Sequence, residues 1–66
     1  MATYYVNNNA QSNGDHEVHK TGCVYMPSST KNLGEHSTCQ TAVTEAKRHY
    51  WQSNGCAYCA SACHTS

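Results

Sequence analysis

Short β-prone runs separated by polar stretches open the chain, and apolar positions recur at helical spacing later. Thr3-Tyr4-Tyr5-Val6 is a short run of β-prone residues. Asn7 to Gly14 is polar and ends in Asn13-Gly14, a pair that favours reverse turns. His16-Glu17-Val18-His19 then reads as a second strand, so the two runs can pair as a hairpin with a long loop. Alternation on that strand puts Glu17 and His19 on one face and His16 and Val18 on the other. If Val18 faces the core, His19 points to the opposite side or to the strand end. Pro27 to Asn32 reads as a loop, and Leu33-Gly34-Glu35-His36 as a brief third strand. Ser37-Thr38-Cys39-Gln40 has the form of a capping box. Cys39, Ala42, Val43, Ala46 and Tyr50 follow at helical spacing as one apolar stripe. Glu45, Lys47, Arg48 and His49 fall off the stripe, with the cations near the C-terminal end, where they suit the helix dipole. Ser53-Asn54-Gly55 is expected to stop the helix, with Gly55 in the left-handed conformation.

Composition then sets a problem for this plan. With 66 residues, the chain supports a single small domain over 1–66. A domain of this size buries only about 60% of its unfolded surface. It has one Leu (Leu33), four Val (Val6, Val18, Val24, Val43), and neither Ile nor Phe. So few aliphatics would suit a disordered chain, but four cationic side chains balance four anionic ones, so no self-repulsion holds it open. Five Tyr and Trp51 can each bury about 150–250 Å². The expected fold is small α+β, a short antiparallel sheet of two to three strands plus one helix. Such a thin core needs a staple, either a metal or disulfides.

The residues for a staple are present. Gly55-Cys56-Ala57-Tyr58-Cys59 is a CxxC preceded by glycine, and His19-Lys20-Thr21-Gly22-Cys23 offers His and Cys four apart. Two short ligand pairs divided by a long linker commonly deliver a tetrahedral zinc set. His19, Cys23, Cys56 and Cys59 are therefore the expected ligands of one structural Zn²⁺, tying the hairpin end to the segment after the helix. His16, His36 and His49 read as solvated, and His16 and His64 are the spare imidazoles should His19 not be the ligand. Cys39 and Cys63 are left over; both lie among small residues, which suggests that they sit near each other as a thiol pair or a disulfide. A local set of Cys56, Cys59, Cys63 and His64 is less attractive, because adjacent Cys63 and His64 seldom both face one ion. CxxC as a redox dithiol would want a βαβ context with a helix opening at the first Cys.

Metal is favoured over disulfides by context. The N-terminus has neither a basic start nor an apolar run, so no signal peptide is read there. The expected compartment is the cytoplasm, where disulfides rarely persist. Five cysteines also cannot all pair within one chain. A secreted, disulfide-stapled protein is the competing reading.

HxxxC, the Ala-Val-Thr-Glu-Ala-Lys stretch and Gly-CxxC together resemble the small zinc domain at the N-terminus of the Ada DNA-repair protein. The likeness runs from about Val18 to Cys59 and rests on the four ligand positions and the glycine. It implies one zinc, held by CxxxC and CxxC pairs that flank a helix. The alkyl-accepting thiolate of that family is the first position of CxxxC. Here that position is His19, so alkyl transfer is not expected. The whole chain also looks like a group of short bacterial Cys/His-rich proteins that share the Tyr-Tyr-Val-Asn opening, the Asn-Gly-Asp-His-Glu-Val-His segment and the Cys-His-Thr-Ser ending; that likeness implies no activity.

Function classes narrow accordingly. No Ser-His-Asp set, Gly-rich phosphate loop or carboxylate pair supports a hydrolase or kinase. Four protein ligands leave zinc no open site for water. No stretch reaches the ~20 apolar residues of a membrane span. Nucleic-acid binding draws on clustered cations, and only Lys47-Arg48-His49, beside Tyr50 and Trp51, offers a small patch. The expectation is a zinc-stabilised binding module whose partner is a protein, met through exposed Tyr and Trp. A nucleic-acid-binding zinc domain is the second reading. A thiol enzyme or metal handler using Cys56, Cys59 or Cys63 is the third.

Overall fold

A computed structural model of the protein describes residues 1–64; Thr65 and Ser66, the end of the Cys-His-Thr-Ser motif, lie outside the described residues. Strand β1 spans Ala2–Asn7, β2 His16–Lys20, β3 Thr30–His36, helix α1 Cys39–Ala46 and β4 Ser53–Gly55, with a closing 3-10 turn at Ser61–Cys63. The strands form one sheet in the order β3-β1-β2-β4. β1 runs antiparallel to β2 and β3, whereas β4 runs parallel to β2. The hairpin of β1 and β2 is the one the sequence indicates. The sheet nonetheless has four strands, more than the two or three expected.

The additional strand is Ser53-Asn54-Gly55, which continues the sheet instead of capping the helix. α1 stops at Ala46, and the backbone turns there: the N–H groups of His49 and Tyr50 both donate to the Ala46 carbonyl, at 2.9 and 2.8 Å. Tyr50 then anchors away from the helix, its hydroxyl donating to Asn8 Oδ1 (2.9 Å) and its ring stacked on His16 at 4.0 Å. The chain is thereby delivered to the open edge of β2. His16 N–H donates to the Gln52 carbonyl, and Cys56 N–H donates to the Val18 carbonyl. Gly55 is needed for space, not for a left-handed turn. A Cβ there would lie 2.7 Å from both the Ala60 carbonyl oxygen and Cys63 Cβ. Gly55→Ala is expected to cost about 3 kcal/mol, the upper end of overpacking penalties, because backbone and a disulfide carbon cannot give way as a flexible side chain does. Urea midpoints of the metal-loaded proteins check this; an unchanged midpoint would refute the close approach.

The capping box does not form either. Thr38 is the N-cap, in extended conformation, and no side chain caps the helix. The Thr38 carbonyl is instead 3.2 Å from Thr41 Oγ1. The expected stripe does face the core, with Cys39, Ala42 and Ala46 buried and Val43 and Tyr50 at its margin. It packs on the sheet face carrying Tyr4, Val6, Val18 and Leu33. The third strand begins at Thr30, inside the expected loop, and carries a bulge. Tyr4 pairs with Gly34 but Tyr5 with Asn32, so Leu33 is the extra residue, directed into the core. Gly34 takes φ +84° beside it, a conformation that favours glycine.

His36 and His16 are more engaged than expected. His36 Nε2 donates to the Leu33 carbonyl (2.9 Å), and its Nδ1 lies 2.9 Å from Thr41 Oγ1. It therefore ties β3 to α1. His49 is exposed, 3.6 Å from Glu45.

Candidate metal centre

Parallel strands emerge at the same end of a sheet, and here that rule assembles the site. β2 ends at Lys20 and β4 at Gly55, side by side, with Val18 paired to Gly55. The segments that follow both strands thus leave from one edge. After β2, the chain turns through Thr21-Gly22, with Cys23 N–H donating to the Lys20 carbonyl at 3.1 Å. This folds Cys23 back over His19. After β4, the Cys56–Cys59 turn closes with Ala60 N–H donating to the Cys56 carbonyl at 2.9 Å.

The ligand atoms of His19, Cys23, Cys56 and Cys59 all lie within 4.8 Å of one another. Cys23 Sγ is 3.9 Å from Cys56 Sγ, and Cys59 Sγ is 3.8 Å from His19 Nδ1. A tetrahedral ion with bonds of about 2.3 Å to sulfur and about 2.0 Å to nitrogen would separate its ligands by roughly 3.5–3.8 Å. The quartet is close enough to hold a metal ion. Among the described residues it is the one such cluster of His, Cys and carboxylate groups.

His19 and Cys56 are buried, at 1% and 2% exposure, whereas Cys23 and Cys59 sit at the rim. Backbone amides aim at the sulfurs, Lys20 N–H at Cys59 Sγ (3.2 Å) and Tyr58 N–H at Cys56 Sγ (3.5 Å). Such donors favour thiolate over thiol. Burial acts the other way and dominates at Cys59, where the thiol is pushed up to about 12 despite the Lys20 amide. The protein alone does not stabilise that thiolate; a cation at the centre of the cluster would. Burial also holds His19 below the ordinary imidazole value, against the opposing pull of Glu17. A lowered value keeps the ring neutral at neutral pH, the form that binds metals.

The remaining cysteines and histidines are committed elsewhere. Cys39 and Cys63 form a disulfide linking the start of α1 to the 3-10 turn. That bond removes Cys63 from the local ligand set. His16 Nδ1 meets the Asn7 carbonyl and His64 Nδ1 the Gly55 carbonyl, so neither spare imidazole joins the cluster. Two features at the site went unassigned in the sequence. Glu17 Oε1 lies 3.3 Å from His19 Nε2, a contact that the strand alternation could have indicated. Tyr25 and Tyr58, each two residues beyond a ligand cysteine, pack ring to ring at 4.5 Å. No local periodicity could have brought them together, since they come from different loops.

No family model matches the chain, and no curated protein or solved structure gives a match.

Proposed function

We propose that the chain is a small zinc-stabilised module that binds a protein partner. The convergence of His19, Cys23, Cys56 and Cys59 within 4.8 Å carries the reading. Three sulfurs and one imidazole in four-coordinate array suit zinc among the common divalent ions. Four protein ligands leave no coordination site for water, so the zinc is structural and not hydrolytic. The first position of the HxxxC pair is an imidazole, which cannot accept an alkyl group as a zinc-bound thiolate does.

A protein partner is favoured by the surface around the site. Val24 (87% exposed), Tyr25 and Tyr58 (74%) project from the two ligand loops. Exposed aromatics beside a rigid centre are typical contact residues for proteins. Support for nucleic acid is weaker. Glu45 lies 3.5 Å from Arg48 and 3.6 Å from His49, which offsets the cationic patch. Tyr50 is engaged with His16 and Asn8, so Trp51 alone of the two aromatics stands free to stack.

The test is native mass spectrometry with and without a chelator, paired with calorimetry in buffers of different ionisation enthalpy. One zinc per chain is expected. Zinc binding should release protons at pH 7, Cys59 giving one up because burial holds its thiol protonated, while His19 gives none because burial keeps the ring neutral. Affinity therefore rises as pH rises and falls steeply on acidification. A metal-free protein that is cooperatively folded would overturn the reading.

A further inference from the structure

We propose that Glu17 is a positioning residue for the metal centre, holding the His19 ring so that Nδ1, and not Nε2, faces the ion. This rests on the reading of the quartet as a zinc site. β2 alternation sets Glu17 and His19 on the same side of the strand, opposite core residue Val18. The two ring nitrogens then meet different partners. Nε2 is 3.3 Å from Glu17 Oε1, and Nδ1 is 3.8 Å from Cys59 Sγ. An ionised carboxylate can only accept a hydrogen bond, and a neutral imidazole carries one ring proton. The proton therefore sits on Nε2, and the lone pair on Nδ1 is directed at the sulfurs. The other ion pairs among the described residues all involve Glu45, so no Lys or Arg competes for Glu17. A carboxylate in this place fixes the tautomer and the ring angle and makes the ligand nitrogen more basic.

The effect has a characteristic sign. Beside a neutral imidazole the carboxylate helps the metal. Beside a fourth thiolate it would repel the site's accumulated negative charge. Glu17→Ala should thus weaken zinc binding about 10- to 100-fold, and Glu17→Gln, which keeps an acceptor, distinctly less. In a His19→Cys background, Glu17→Ala should leave zinc affinity unchanged or raise it. Zinc affinity is read by competition with a chromophoric chelator. Long-range ¹H–¹⁵N NMR of the zinc-loaded wild-type protein reads the tautomer, and is expected to show metal on Nδ1 and the proton on Nε2. That spectrum keeps the proposal testable should Glu17→Ala fold poorly. Wild-type protein that binds zinc through Nε2, or a Glu17→Ala affinity within twofold of wild type, would overturn the role of Glu17 and leave the zinc module standing. Wild-type protein that binds no zinc would overturn both.

Discussion

Chelating the proposed zinc, or replacing Cys56 with Ser, is expected to abolish cooperative folding. The core explains why. Its large buried aliphatics are Val6, Val18 and Leu33, joined by Tyr4, three alanines and Cys39. Full burial of a Val or Leu contributes about 1.5–3 kcal/mol, whereas ordering each backbone residue costs about 1–2 kcal/mol. A core this small cannot offset that cost over the whole chain. A structural zinc site has an apparent binding free energy on the order of 10 kcal/mol or more, and in small domains that energy is folding energy. An ion held by the quartet would act where the sheet is weakest. It would lock the three-residue β4 to β2 and join His19 to Cys59 across 40 positions of sequence. Cys56→Ser removes a thiolate ligand from a nearly closed position, so it should cost more than Cys23→Ser at the rim. Circular dichroism with chelator, followed by zinc add-back, gives the readout. The wild-type fold and metal content in Cys56→Ser would show the ligand assignment to be wrong.

The gathering of His19, Cys23, Cys56 and Cys59 into one cluster was legible, because His-x3-Cys and Cys-x2-Cys spacings are set by local coordination chemistry. β1 and β2 were legible from local pattern as well: each is a short run of strand-compatible residues, and the two are divided by the Asn7–Gly14 turn region. β4 was not. Ser-Asn-Gly carries every mark of a helix stop, and it becomes a strand only because β2 presents a free edge and Gly55 fits under Ala60 and Cys63. The consequence reaches the site. The sequence named four ligands, but the parallel β2–β4 pairing that brings them to one edge is a tertiary fact. β3 was half legible, since the bulge at Leu33 breaks the alternation that would mark a strand. His36 was misjudged because its partners, Leu33 and Thr41, stand on two elements whose packing no local pattern encodes. Cys39 and Cys63 were paired by elimination, once the expected ligand set had taken the other three cysteines.

Replacing that disulfide should weaken the fold without emptying the metal site. Cys39 and Cys63 are 24 positions apart. Closing a loop of that size removes unfolded-chain entropy equivalent to about 3.5 kcal/mol at 25 °C. Some packing is lost as well, because Cys63 presses on Gly55 and Ala60 belongs to the core. The double variant Cys39→Ala/Cys63→Ala should therefore lose about 3–4 kcal/mol in urea unfolding of the zinc-loaded protein. Alanine at both positions avoids leaving a stray thiol to compete for the ion. Zinc stoichiometry should stay at one, since the ligands sit at the ends of β2 and β4 and the disulfide ties α1 to the C-terminal turn. The proposed zinc and the disulfide would thus act on different seams, one along the sheet edge and one between helix and tail. Release of zinc from the double variant under native conditions would show instead that the tail holds the Cys56–Cys59 turn in place, and that the two staples are one cooperative unit.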